Sequence, residues 1–168
     1  MNVRAESTDD YAAVRQVNER AFGRPEEADL VDALRKRVEP HISLAAIVDE
    51  RIVGHIFFSV VHVESEAHAF TALGLAPMAV LPEFQNQGVG SELVRRGLEE
   101  CRRLGHEVVV VLGHPEYYPR FGFVPARRKG LSCEYPVPEE VFMVLELSEG
   151  ALSGRGGVVK YSPEFGSV

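Results

Sequence analysis

The apolar positions along this chain change period several times, and each change marks an element. Residues 2–5 alternate, with Val3 and Ala5 facing inward, which predicts a short strand. Ser7, Thr8 and Asp9 then offer N-cap side chains, and Tyr11, Val14, Val17, Ala21 and Phe22 follow at helical spacing. Gly23-Arg24-Pro25 breaks that helix. Pro25 with Glu26 and Glu27 suits the first turn of a second one, whose apolar stripe is Leu30, Val31, Leu34 and Val38. After Pro40 the period shortens to that of strands. Residues 43–48 and 51–63 are β-rich, and Asp49-Glu50 between them reads as a tight turn, so the pair predicts an antiparallel hairpin. Residues 64–68 read as a polar loop and 70–80 as the third strand of the meander. Pro77 cannot donate to a ladder, which predicts a bulge or a local parting of strands there.

The strongest helix spans 88–104. Val89, Leu93, Val94, Leu98, Cys101 and Leu104 form its buried stripe, and Glu92, Arg95, Arg96, Glu99, Arg102 and Arg103 its wet face, with Gly105 as the stop. Residues 108–112 are a continuous apolar run of four valines and a leucine, the pattern of a strand buried on both faces. Strand, helix, strand at this spacing implies a crossover between parallel strands. Residues 115–121 predict a short helix or turn. Strands resume at Phe123, most clearly over 142–147, and a last one over 157–161 docks the tail. The sequence has no internal repeat, linker or low-complexity segment. The order predicts one α+β domain over residues 1–168, with a mixed, mostly antiparallel central sheet and flanking helices.

Composition narrows the classes. The chain has 168 residues, enough to bury a core without staples, and is 45% hydrophobic and 26% charged. A net charge of −7 argues against a nucleic-acid binder, which needs a basic face, but leaves room for an anion held locally. Cys101 and Cys133 have no CxxC spacing and read as reduced, buried thiols. The first ten residues lack the basic-then-apolar signal pattern, and the run at 108–112 is too short to span a bilayer. The expectation is a cytoplasmic protein with no membrane partner. The histidines show no ligand spacing, so no metal is expected.

The chemistry concentrates where a strand runs into the long helix, at Val80-Leu81-Pro82-Glu83-Phe84-Gln85-Asn86-Gln87-Gly88-Val89-Gly90-Ser91. The first N–H groups of a helix have no internal partner, and the dipole adds partial positive charge. With no Cβ at Gly88 or Gly90, a diphosphate can approach that backbone closely. A glycine pair can also serve only tight helix entry and packing. A Walker loop requires lysine before Ser91, where Gly90 stands. A dinucleotide loop requires a third glycine where Leu93 stands and an acid where Gly113-His114 follow the next strand. Neither fits.

The run Val80-x-Pro82-x-x-Gln85-x-x-Gly88-x-Gly90 resembles the acyl-CoA signature of the GNAT superfamily of N-acetyltransferases. Tyr118-Pro119-Arg120-Phe121-Gly122-Phe123 resembles that superfamily's Tyr-x-x-x-Gly-Phe segment, in the expected order. Residues 74–80, 112–123 and 133–138 and the Phe142-Met143 strand are similar to the bacterial YhbS-like predicted acetyltransferases, so the resemblance covers nearly the whole chain. Gln85 and Gln87 depart from it, standing where arginine and glycine or lysine are frequent.

The resemblance implies a GNAT-type fold in which the strand carrying residues 70–80 and the valine strand are splayed parallel neighbours. It implies acetyl-CoA as cosubstrate and a small-molecule or peptide amine as acceptor. Met78, Ala79 and Val80 would lie along the pantetheine arm, with the main chain of Met78 and Val80 bonding its amides. A free N–H near Met78 would face the thioester carbonyl. Gln85, Asn86, Gln87, Gly88, Val89, Gly90 and Ser91 would hold the diphosphate. Tyr118 is the candidate general acid for the departing thiolate, with Tyr117 the adjacent alternative. The base is left open among His55, His62, Glu64 and a relayed water, with His62 and Glu64 on one strand face. Arg95 and Arg96 fit a solvated helix face better than a phosphate site. A non-catalytic acyl-CoA sensor is the alternative function, and pairing of the β-rich C-terminal stretch between subunits is a route to a homodimer.

Overall fold

The computed structural model describes residues 1–167; Val168, the last residue of the expected domain, lies outside the described residues. The first strand, β1 (Asn2–Ala5), buries Val3 but leaves Ala5 exposed, correcting the two-residue inward face expected of it. Helices α1 (Tyr11–Phe22) and α2 (Glu26–Arg37) follow, separated at Gly23, which takes the left-handed conformation as helix stop. Val14 and Val17 of α1 are buried, while Tyr11 and Phe22 at its ends stand partly out. Leu30, Val31, Leu34 and Val38 are all buried, as the stripe requires.

The meander is β2 (His41–Val48), β3 (Arg51–Glu64) and β4 (Ala69–Val80), paired antiparallel in turn. Asp49 and Glu50 both take positive φ, 50° and 64°, the geometry of a two-residue hairpin loop whose twist matches the strands. Helix α3 (Val89–Arg103) crosses over to β5 (Val108–Leu112), which pairs parallel to β4. After it come β6 (Val124–Pro125), β7 (Leu131–Cys133), β8 (Phe142–Glu146) and β9 (Gly157–Lys160), with short 3₁₀ turns between. The sheet order is β1-β2-β3-β4-β5-β8-β6, and β9 pairs both β3 and β7. Both sides of the last strand are therefore engaged within the chain.

Two features of β4 position everything downstream. Its pairing with β5 covers only Leu73, Gly74 and Leu75, opposite Val109, Val110 and Val111. Beyond Leu75 the two strands part. On the other side, Ile56 faces Met78 and Phe58 faces Leu75, so Phe57 stands against the extra residues Ala76 and Pro77. That is a bulge at the proline, where a missing N–H costs the ladder least.

Helix α3 holds the parted strands from one face. Leu93, Val94, Leu98 and Cys101 are buried, each large aliphatic contributing about 2 kcal/mol by leaving water. Leu104, expected in that stripe, is 49% exposed because the helix has already ended. Gly97 allows the close approach: a Cβ there would lie 2.5 Å from Phe58 Cε1. A second cluster packs α2 and Phe165 on the opposite face, around Phe57.

Candidate functional site

The end of β4, beyond where it parts from β5, forms one wall of a groove of about 680 Å³. Met78, Ala79 and Val80 line it from β4; Gln85, Asn86, Gly88, Gly90 and Ser91 line it from the loop and the start of α3. His114, Tyr117, Tyr118 and Arg120 close the far side, and Ala21 and Phe22 of α1 close the top. Its size falls in the range of small-molecule and cofactor sites, roughly 300–1,000 Å³.

Strand alternation decides which backbone groups face this groove. The Leu81 N–H donates to the Val53 carbonyl of β3 at 2.9 Å. Ala79, two residues back, faces β3 in the same sense, so Met78 and Val80 turn their amide and carbonyl groups to the groove. The Val80 carbonyl is met there by Gln85 Nε2, donating at 3.0 Å.

The loop then enters α3 through Asn86 and Gly88, with φ of 61° and 87°. Nothing lies within 4 Å of where a Gly88 Cβ would stand. The first helical bond is from the Glu92 N–H to the Gly88 carbonyl, 3.1 Å, so the amides before Glu92 have no partner of that kind. A Cβ on Gly90 would lie 3.2 Å from the Tyr117 hydroxyl and 3.4 Å from Met78 Cε, so the missing side chain is what keeps the floor open. Two loop side chains turn elsewhere. Gln87 Nε2 donates to the Glu83 carbonyl at 3.0 Å, and Val89 is buried against the sheet.

On the far wall, the 3₁₀ turn Tyr118–Phe121 ends at Gly122, with φ of 101°, and places two phenols edge to face, 5.1 Å between centroids. Tyr118 is 7% exposed and packs on Phe123 and over Gly113, which has no Cβ to displace it. Burial, with a smaller contribution from Tyr117, pushes its phenol well above the ordinary range, so it stays protonated. Tyr117 is less buried, and its hydroxyl shares a hydrogen bond with Ser91 Oγ at 3.2 Å.

Arg120 was not legible as a site residue. It lies over the Tyr117 ring at 4.4 Å and donates from Nη2 to Ser91 Oγ at 3.4 Å, putting a guanidinium beside the start of α3. Phe22 was read only as part of the apolar stripe of its helix, and it is 40% exposed on the groove rim. Their only sequence signals were a cation inside the Tyr118 to Phe123 segment and an aromatic side chain at a helix end. Arg95 and Arg96 pair with Glu92 on the solvated face of α3 and do not line the groove.

The three candidate bases are not brought to the groove. His55 is fully buried, with Nε2 2.8 Å from Ser43 Oγ and Nδ1 3.2 Å from Asn18 Nδ2. Burial, then the nearby Arg35 charge, lowers its pKa to about 3, so it is neutral and enclosed. His62 and Glu64 share an exposed face as expected, but opposite Thr71 and Ala69 at the other end of β4. His62 is six residues from Ile56, the partner of Met78, or about 20 Å along a strand. Among the described residues, no group of three or more His, Cys, Asp or Glu could hold a metal ion, and no helix is long and apolar enough to cross a membrane. Both cysteines are free thiols, Cys101 buried and Cys133 partly so.

A strand pair parted beside a glycine-opened helix start is the arrangement of an acetyltransferase, and the chain belongs to the GNAT family: the acetyltransferase (GNAT) domain model matches residues 2–126. It is an N-acetyltransferase by that membership. Two Escherichia coli K12 relatives carry the name N-acetyltransferase. YjhQ is 45% identical over 134 residues, 78% of this chain and 74% of its own length. YhbS is 36% identical over 166 residues, 98% of each. The crystal structure of E. coli YhbS in complex with CoA superposes with a TM-score of 0.90 at 34% identity, covering 98% of this chain and 91% of that one. A GNAT family acetyltransferase from Brucella melitensis, in complex with acetyl-CoA, matches with a TM-score of 0.79 at 33% identity, covering 98% and 97%.

Proposed function

We propose that this chain transfers the acetyl group of acetyl-CoA to a primary amine by direct attack, with Tyr118 as general acid. The observation that carries the reading is the groove itself. It joins the outward backbone of Met78 and Val80, the open helix start at Gly88 and Gly90, and a buried phenol. The CoA and acetyl-CoA complexes of the similar E. coli and Brucella proteins supply the ligand class.

In this reading the diphosphate lies on the amides that open α3, with Arg120 beside them supplying the charge that Gln85 lacks. The pantetheine arm runs along Met78, Ala79 and Val80 as an added strand. The amine, having given its extra proton to water, attacks the thioester carbonyl carbon. A C–N bond forms and the carbonyl pair moves to oxygen, where the Met78 N–H donates. Collapse breaks the C–S bond; the sulfur takes the Tyr118 proton, the nitrogen releases its second proton to water, and that proton returns through solvent to the Tyr118 phenolate. Burial keeps the proton on the phenol until a thiolate, itself made more basic by leaving water, forms beside it.

Calorimetric titration with acetyl-CoA, followed by thiol release with an amine panel, tests the reading. Gly90→Leu would fill the space between Tyr117 and Met78. It should weaken acetyl-CoA by at least about tenfold, equivalent to about 1.4 kcal/mol, while the thermal midpoint moves little. Undiminished affinity in that variant would contradict the backbone cradle.

A further inference from the structure

The bulge that parts β4 from β5 opens a second cavity, of about 370 Å³, distinct from the groove. Leu75 and Ala76 of β4 and Leu112 of β5 form its strand side; Tyr135, Tyr161 and Phe165 close it from the C-terminal part of the chain. The groove takes the next residues of the same strands and of the segment after β5, Met78 to Val80 and His114. Both cavities therefore adjoin the stretch where a thioester between the strands would be reached. Ala76 and Phe165 pack in the cluster with α2, and the groove opens at the start of α3, so the two lie on different sides of the sheet.

The rings are built into this position. Tyr161 approaches the β4 backbone at Gly74, where a Cβ would lie 3.3 Å from Tyr161 Cε1. Tyr135 stacks on Tyr161, 5.6 Å between centroids at 27°, and Phe165 meets it edge on at 5.2 Å. The Tyr161 N–H donates to the Glu134 carboxylate, which fixes the strand end and leaves one acid at the border of the cavity. None of the lining residues is charged.

We infer that this cavity is the acceptor site, and that the acceptor is a small primary amine with an aromatic or aliphatic body. The inference rests on the transfer reading above and adds the substrate class to it. The amine nitrogen points between Ala76 and Leu112 towards the parted strands. The body lies against Tyr161, Tyr135 and Phe165, where apolar surface leaves water. A sugar or amino-acid body fits poorly, because beyond the Tyr135 and Tyr161 hydroxyls the lining side chains carry no polar group, too few for several hydroxyls or a carboxylate. The Glu134 carboxylate favours approach of a cationic amine over an anionic one.

The test is steady-state kinetics on the full chain with straight alkylamines, phenylalkylamines, an amino sugar and a lysine-containing peptide, beside calorimetry with acetyl-CoA. The expected result is that kcat/KM rises about fourfold per added methylene until the cavity is full. The amino sugar and the peptide should be at least about tenfold poorer. Tyr135→Ala should raise the KM of the best amine roughly tenfold with the acetyl-CoA Kd unchanged. Leu112→Arg, on an exposed strand end, should do the same without loss of fold, because it sets a cation where the amine nitrogen points. Normal acetyl-CoA binding with the amino sugar or peptide preferred would overturn the inference while leaving acetyl transfer standing. So would acceptor KM values unmoved in both variants. Failure of the unaltered chain to bind acetyl-CoA would overturn both readings together.

Discussion

Tyr118, the proposed general acid, shows how single positions combine to hold one side chain in place. Its ring sits where Gly113 has no side chain, braced by Phe123 and edge-on to Tyr117. That enclosure fixes one hydroxyl at the groove and keeps its proton. Tyr118→Phe preserves the packing and deletes the proton. We expect kcat to fall on the order of a hundredfold with the acetyl-CoA Kd unchanged, measured by thiol release and calorimetry. Undiminished kcat would move the acid role to Tyr117. The spacing of Tyr118 before Gly122-Phe123 was visible in the sequence. The choice between neighbouring phenols rests on burial and on the bond from Tyr117 to Ser91, which only packing creates.

At the scale of elements, α3 is positioned by absence of bulk. Gly97 lets the helix settle onto Phe58, a fully buried ring of β3. Alanine would gain up to about 1 kcal/mol in helix propensity, but its Cβ would stand 2.5 Å from Phe58 Cε1 in a packed core. Overpacking of that kind costs about 1–3 kcal/mol, so Gly97→Ala should lower the urea midpoint by a net loss of about 1 kcal/mol. A midpoint equal to or above that of the unaltered chain would show that the sheet can give way. The helix itself was legible from its stripe, and so were the hairpin at Asp49-Glu50 and the parallel crossover. Strands were expected from Phe123 onward, but the bounds of β6 and β7 were not legible, because two or three residues carry no period of their own.

At the scale of the whole molecule, His55 ties acid stability to the core. Its pKa is 6.5 when solvated and about 3 in the fold, where burial and then Arg35 disfavour the charged form. The unfolded chain therefore binds the proton first. The contribution of the neutral histidine is fully present above pH 6.5 and is lost as pH falls towards 3. Unfolding free energy should fall by up to about 1.4 kcal/mol per pH unit between pH 6 and 4 from this group alone. His55→Gln should be less steep across that window, whatever its stability at pH 7. Equal slopes in the two proteins would remove His55 as the cause.

The sequence by itself determined the local elements and the donor side of the site. Helical and strand periods are local properties, and a glycine-opened helix start is a contiguous one, so residues 80–91 and 118–123 could be read without coordinates. The tertiary structure decided what depends on distant segments meeting. It buried His55 between α1 and β2, set His62 and Glu64 at the far end of β3, and brought Arg120 to Ser91 across 29 positions. It also folded Tyr135, Tyr161 and Phe165 onto the parted strands, where the second cavity forms. No period or spacing encodes that closure; it follows from β9 pairing with β3 and β7, which carries the end of the chain back to the middle of the sheet.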